Sequence, residues 1–182
     1  MFFEGDLGRG FFVVASGKVK VFKVAASGKE QILHIFGEGE TFGEVSVFHG
    51  APFPASAEAL SAVQVMFFPR DAFIRLLEKN TSIALGMLAE LSKKLRIFAR
   101  KIEDLSLKEV PARLAGYLLY LDKEQQGGGT VVLDISKGQL ASLLGTSPET
   151  LSRILTRMAA EELIAMDGRT ITLLDIAKLA DR

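Results

Sequence analysis

The sequence predicts an α+β protein with three parts: an N-terminal β-roll or jelly roll over residues 1–79, a long helix over residues 80–107, and a C-terminal winged helix-turn-helix over residues 108–182. Short alternating runs punctuated by glycine predict the first part, because many short strands with regular turns are typical of barrels, rolls and sandwiches. A heptad repeat predicts the long helix. Two capped helices followed by a tight hairpin predict the third part.

The β-roll is predicted from short apolar runs that lie between glycine-containing turns. These runs cover residues 11–14, 19–24, 31–36, 55–59 and 64–68. Near residue 80 the spacing of apolar residues changes from that of a strand to that of a helix. The N-terminal part is therefore expected to end there.

The long helix carries apolar residues at two alternating heptad positions. The first position holds Leu88, Leu95 and Ile102, and the second holds Leu91, Phe98 and Leu105. Charged residues surround this stripe: Lys93, Lys94, Arg96, Arg100 and Lys101. A stripe of this length is best buried against a second copy of the same helix, which predicts a homodimer. The alternative is a helix that packs on its own β-roll.

Residues 135–163 predict two short helices joined by a tight turn. Ser136 is placed to cap the first helix with Gln139 as its capping-box partner, and Gly145 ends that helix. Ser147 caps the second helix, with a proline at the first helical position, where a missing N–H costs nothing. The apolar residues of the second helix share one buried face: Leu151, Ile154, Leu155 and Met158.

The opposite face of the second helix suits a DNA groove. The first turns of a recognition helix reach base edges, where Glu can accept from cytosine N4 and Arg can bind guanine O6 and N7. A two-stranded wing follows, with Asp167-Gly168 as its turn. We expect double-stranded DNA to contact Lys137, Ser147, Glu149, Thr150, Ser152, Arg153, Thr156, Arg157 and Arg169. The alternative is a ligand-binding regulatory module whose helices contact protein instead of DNA.

The composition excludes several classes of protein. The 182-residue chain has no Cys, which excludes disulfides, iron–sulfur clusters and thiolate metal sites. It has no signal peptide and no run of about 18 apolar residues, so we expect a cytoplasmic protein with no membrane contact. It has no nucleophile elbow, phosphate loop or metal-binding His pair, so we do not expect an enzyme. Because the formal net charge is +0 at pH 7, DNA affinity must come from the local placement of basic residues.

Segments spread over essentially the whole chain resemble the cyclic-AMP receptor protein / fumarate-nitrate reductase regulator (Crp/Fnr) family of bacterial transcription factors. They are Glu4-Gly5-Asp6, residues 11–17, Val19-Lys20-Val21, residues 39–44 and residues 147–155. The resemblance implies a cyclic-nucleotide-binding-like effector domain, a dimerisation helix, a winged-helix DNA reader, a small-molecule effector and RNA polymerase as a partner. Family members usually carry more residues before the first motif, so we expect this chain to be N-terminally truncated.

The same resemblance implies an effector pocket formed by Phe42, Gly43, Glu44, Val45, Pro54, Ala55 and Ser56. In cyclic-AMP receptors a Gly-Glu pair binds ribose and a later Arg-Ser pair binds phosphate. Gly43 and Glu44 match the first pair, but Pro54 and Ala55 stand at the second.

The basic residues that a phosphate would need are missing from this region. No Lys or Arg lies between Gly37 and Pro69, and a buried phosphate without a counter-charge is strongly disfavoured. We therefore expect an effector other than cyclic AMP, with a cyclic-nucleotide-responsive regulator as the alternative. Apolar residues in this region predict an apolar interior: Phe42, Val45, Val47, Phe48, Phe53 and Met66.

Residues 51–60 and 102–107 are similar to regulators of dissimilatory nitrate respiration, which are proposed to sense nitric oxide through haem. Haem is therefore a candidate cofactor, and an axial ligand would have to come from His34 or His49, besides Met residues. His34 lies in a predicted strand and His49 in a predicted turn, so each is more simply a hydrogen-bonded or solvated side chain.

The residue pattern of the recognition helix also resembles that of regulators with a particular DNA preference. Glu149, Ser152 and Arg153 form the Glu-x-x-Ser-Arg pattern of regulators that read TTGAT-like half-sites in an inverted repeat. Receptors for cyclic AMP have Arg just before the Glu, where this chain has Pro148.

Overall fold

The computed structural model describes all 182 residues, Met1–Arg182, as two compact units, Met1–Arg96 and Ile97–Arg182, whose boundary lies inside one long helix. The elements of the first unit are β1 (Gly10–Ser16), β2 (Val19–Val24), β3 (Glu30–Phe36), β4 (Thr41–Phe42), α1 (Val45–Phe48), β5 (Ser56–Ala59), β6 (Gln64–Pro69), α2 (Arg70–Lys79) and the start of α3 (Thr81–Leu107). The five predicted strands and the long helix are all present. The strand β4 and the helices α1 and α2 had not been predicted.

Two three-stranded antiparallel sheets, with strand orders β4-β1-β6 and β3-β2-β5, form the β-roll. Strand β1 is apolar on both faces because both faces are covered. Phe12 and Val14 pack into the aromatic cluster between the sheets, whereas Phe11 and Val13 pack on the other side, against α1 and α2. This unbroken apolar run is typical of a strand buried on both faces.

The apolar interior differs in part from the predicted one. Phe42, Val47 and Phe53 are buried, but Val45, Phe48 and Met66 are exposed. The prediction was wrong for Val45 and Phe48 because residues 45–48 form the single helical turn α1, which buries Ser46 and Val47 instead. Phe2 fills part of the interior, stacked on Phe53 with ring centroids 3.7 Å apart.

The second unit contains the end of α3, then α4 (Val110–Glu124), β7 (Thr130–Val132), α5 (Lys137–Leu143), α6 (Pro148–Ala160), β8 (Ile164–Asp167), β9 (Thr170–Leu173) and α7 (Ile176–Ala180). The wing has three strands in the order β7-β9-β8, not the two that were predicted, because β7 pairs with β9. The predicted fold class is confirmed. No helix has both the length and the apolar character that crossing a membrane requires.

Local hydrogen bonds define where the two short helices begin. The Ser136 hydroxyl accepts from the Gln139 backbone N–H at 3.1 Å, and the Gln139 side chain accepts from the Ser136 N–H at 2.7 Å, which completes the predicted capping box. The Ser147 hydroxyl accepts from the Thr150 N–H at 3.2 Å at the start of α6. Each cap stabilises its helix by about 1 kcal/mol.

Candidate functional site

Helix α6 has an apolar face and, on its opposite side, a polar face. Its buried residues are Leu151, Ile154, Leu155 and Met158, which anchor the helix to its own unit. The opposite face forms a shallow exposed groove lined by Pro148, Glu149, Ser152, Arg153, Thr156, Arg157 and Ala160. The structure therefore brings together five of the nine residues expected to contact DNA.

The remaining expected DNA contacts lie outside this groove. Lys137 and Arg169 are exposed, on α5 and on the wing. Thr150 is half-buried, and its hydroxyl oxygen accepts from the Ser147 hydroxyl at 3.1 Å. The hydroxyl groups of Ser147 and Thr150 therefore bond to each other, and that of Ser147 also accepts from a backbone N–H at the start of α6.

Glu149 is held in its ionised form. Its pKa lies below the ordinary value because its own backbone N–H, the Ser147 hydroxyl and the positive charge of Arg153 all favour the carboxylate. An ionised carboxylate is an acceptor only. Glu149 is therefore chemically matched to a donor such as the exocyclic amine of cytosine.

The two arginines of α6 differ in their surroundings. The Nε of Arg157 lies 3.7 Å from Glu161 Oε1, and the Glu161 carboxylate also pairs with Arg182. Arg153 lies one turn earlier on the exposed face, beside Glu149. Arg153 lies on the first turns of the helix, which reach base edges, whereas Arg157 lies one turn further from the helix start, where a contact with the DNA backbone is expected.

The loop at the tip of the wing lies one residue later in the chain than the sequence predicts. Asp167 still pairs with Thr170 in the sheet, so the two-residue loop is Gly168–Arg169, not Asp167-Gly168. Gly168 has φ +59°, a backbone conformation that favours glycine and that tight hairpin loops require. Arg169 is consequently presented at the tip of the wing.

Helix α3 exposes its apolar stripe. None of its 27 residues is buried, and Leu88, Leu95 and Ile102 at the first heptad position are 59%, 70% and 66% exposed. Those at the second position, Leu91, Phe98 and Leu105, are less exposed. Exposed apolar surface of this kind is typical of interaction sites.

The residues expected around the effector pocket are dispersed over several environments. Phe42, Glu44 and Ala55 are buried, Gly43 and Ser56 are half-buried, and Val45 and Pro54 are exposed. Gly43 has φ +81°, and a Cβ there would lie 3.2 Å from the Phe53 ring. The Ser56 hydroxyl accepts from the Glu4 backbone N–H at 3.0 Å. Val45 and Pro54 therefore do not face the interior.

Lys94 supplies a positive charge to the β-roll. It had been grouped with the charges around the helix stripe, but its Nζ lies 2.5 Å from Glu44 Oε1. It also donates to the Thr41 carbonyl at 2.6 Å and to the Thr41 hydroxyl at 2.9 Å. No sequence pattern points to this contact, because 50 residues separate Lys94 from Glu44.

The two histidines that are candidate axial ligands of a haem lie in different surroundings. His34 Nε2 lies 3.4 Å from Glu40 Oε1, and its ring stands edge-on to Phe36. Burial by itself raises the pKa of Glu40, but hydrogen bonds from His34 and from the Gly37 N–H outweigh it, so the pKa is lowered. His49 is exposed at the end of α1. Both match the simpler interpretations of a hydrogen-bonded strand residue and a solvated turn residue.

Comparison with known proteins identifies relatives along the whole chain. The cyclic nucleotide-binding domain family matches residues 1–80, and the Crp-like helix-turn-helix domain family matches residues 112–182. The chain is 32% identical to the CRP-like cAMP-activated global transcriptional regulator of Mycobacterium tuberculosis, over 100% of this chain and 83% of that protein. It is 33% identical to the cyclic AMP receptor protein of Thermus thermophilus, over 100% of this chain and 82% of that protein.

A solved structure also has the same fold. FixK2 from Bradyrhizobium japonicum superposes with a TM-score of 0.87 at 24% identity, covering 100% of this chain and 90% of that one. The relative from Mycobacterium tuberculosis is a transcription regulator, and the relatives of this family are not enzymes.

Proposed function

The chain belongs to the Crp/Fnr family of DNA-binding transcription regulators with an effector-binding domain, and we propose that it acts as a homodimer that reads an inverted repeat of TTGAT-like half-sites. The exposed groove of α6 carries this proposal, because it presents Glu149, Ser152 and Arg153 on the first turns of a capped helix. Glu, Ser and Arg at these positions suit cytosine, a thymine edge and guanine respectively. RNA polymerase is the protein partner we propose for such a regulator.

The exposed stripe of α3 supports the dimer. Its first heptad position is the more exposed, so a second α3 helix would cover the side chains that this chain leaves open. A two-fold dimer presents two recognition helices, which matches an inverted repeat in DNA. We accordingly propose residues 80–107 as the dimerisation segment between an effector domain (1–79) and a DNA-binding domain (108–182).

A binding measurement with two duplexes tests the proposed DNA function. One duplex carries the inverted repeat of TTGAT half-sites, and the other has the same composition in scrambled order. We expect the repeat to be bound about 10³-fold or more tightly at physiological salt, with both affinities falling as salt is raised. Equal affinity for both duplexes would contradict the proposed half-site. Binding to neither duplex, with or without an added small molecule, would contradict DNA binding and favour a module that acts through protein contacts.

A cyclic-nucleotide effector is the second candidate, and it is favoured by the names of the two curated relatives. Two features of the region oppose it. Pro54, which stands where the resemblance to cyclic-AMP receptors implies a phosphate-binding Arg, is exposed and carries no charge, and Lys94, the cation that contacts Glu44, is already paired. A phosphate there would lack a free counter-charge.

Titration calorimetry is expected to detect no binding of cyclic AMP at micromolar concentration. The physical reason is the missing phosphate partner at Pro54 together with the commitment of Lys94 to Glu44. Cyclic GMP serves as the control for non-specific purine binding. Micromolar affinity for cyclic AMP alone would establish the second candidate. An absorption spectrum of the same sample tests haem as a candidate cofactor, since haem would give an intense band near the visible blue.

A further inference from the structure

Lys94 uses its whole hydrogen-bonding capacity on the β-roll. An ammonium group has three N–H donors and no acceptor. The Lys94 ammonium contacts three acceptors, which are Glu44 Oε1 at 2.5 Å, the Thr41 carbonyl at 2.6 Å and the Thr41 hydroxyl at 2.9 Å. The Thr41 hydroxyl in turn donates to the same Glu44 oxygen. The three groups form a closed network that leaves Lys94 no donor for another molecule.

This ion pair is also removed from water. The side chains of Lys94 and Glu44 are only 16% and 11% exposed, and the Lys94 ammonium lies 5.2 Å from the centroid of the Phe36 ring. Breaking such a pair by removing one partner is strongly unfavourable, because the other charge remains buried and unpaired.

The neighbouring lysine on the same helix provides a contrast. Lys93 lies 2.6 Å from Glu90, but these side chains are 59% and 58% exposed. Exposed pairs of this kind contribute little because water screens them. Lys93 and Lys94 therefore carry the same charge at adjacent positions, while only Lys94 links α3 to the β-roll.

We propose that the Lys94–Glu44 pair is a built-in tether that replaces a charged effector, so that specific DNA binding needs no added ligand. This inference rests on the proposed function. The resemblance to cyclic-AMP receptors implies that Glu44 would accept from a ligand hydroxyl, and its Oε1 already accepts from Lys94 and Thr41. The tether joins the β-roll to the part of α3 that carries Leu91 and Leu95 of the apolar stripe. A fixed Lys94 therefore holds this part of the stripe in one position relative to the β-roll, without a ligand.

The test measures DNA affinity with no ligand added. Protein that has passed gel filtration is titrated onto the TTGAT inverted repeat and onto the scrambled duplex, and a denatured extract is checked by mass spectrometry for small molecules. The variants are Lys94→Met, which keeps an apolar stem over Phe36, and Glu44→Gln, which keeps the shape. Lys93→Met is the matched control. Melting curves and light scattering establish that each variant is folded and report its oligomeric state.

We expect the unmodified protein to bind the repeat unaided. Lys94→Met and Glu44→Gln should each weaken that binding by about 5- to 150-fold, the range of typical coupling between sites, while Lys93→Met leaves it unchanged. The exchanged pair, Lys94→Glu with Glu44→Lys, should regain part of the loss. If one single variant does not fold, the other decides the result.

Different negative results distinguish a failure of the tether proposal from a failure of the proposed function. If the unmodified protein binds the repeat unaided and Lys94→Met and Glu44→Gln bind equally well, the tether is refuted and the DNA-binding function stands. If the protein binds the repeat only after cyclic AMP is added, or only with a small molecule found in the extract, the tether is again refuted. Binding to neither duplex under any condition refutes the DNA-binding function itself.

Discussion

The double substitution Leu95→Asp with Ile102→Asp is expected to convert the proposed dimer into a monomer and to reduce affinity for the inverted repeat to that for random DNA. Both residues occupy the first heptad position of α3, and in the single chain they are 70% and 66% exposed. A lone chain therefore tolerates the carboxylates. A dimer would have to bury them in its seam, at a cost of about several kcal/mol per ion.

Light scattering and the two-duplex titration measure this outcome. Leu107→Asp is the matched control, because Leu107 is 78% exposed on the same helix but outside both heptad positions. We expect this control to remain dimeric and to bind as the unmodified protein does. A monomeric unmodified protein at micromolar concentration, or a dimeric double variant, would contradict the proposed interface.

Arg153→Ala is expected to cost about 1–3 kcal/mol on the inverted repeat and to relax the preference for G·C at one position of each half-site. We expect both effects because the variant loses a bidentate hydrogen bond to guanine. The exposed position of Arg153 on the first turns of α6, beside the ionised Glu149, supports that contact. Affinity for the scrambled duplex should change much less.

Arg157→Ala removes the same charge one turn further along α6 and serves as the comparison. Arg157 is exposed and lies further from the start of α6 than the turns that reach base edges, which suits a contact with the DNA backbone. We expect weaker binding to both duplexes alike and a shallower salt dependence, because a phosphate contact carries no sequence information. If Arg153→Ala lowered the affinity for all duplexes equally, Arg153 would be a phosphate contact and the proposed orientation of α6 would be wrong.

The local features of the helix-turn-helix could be predicted from the sequence because their partners are close along the chain. The capping box joins Ser136 to Gln139, three residues apart, and the buried face of α6 follows from the helical period. The wing was predicted less well. Its loop is Gly168–Arg169 and not the predicted pair of residues. Its third strand, β7, pairs with β9, with Val131 opposite Ile171. Register between strands depends on pairing that periodicity alone does not specify.

The sequence by itself determined the order of strands and helices, the apolar face of α6 and the stripe on α3, because these depend on periods of two, 3.6 and seven residues. Only the tertiary structure decided which side chains face the inside of the β-roll. Val45 and Phe48 were expected there and are exposed, since the turn of α1 buries Val47 instead. Lys94 was expected among solvated charges and lies against Glu44, 50 residues away. Contacts over such separations depend on how strands and helices pack together, and no repeat along the chain encodes that packing.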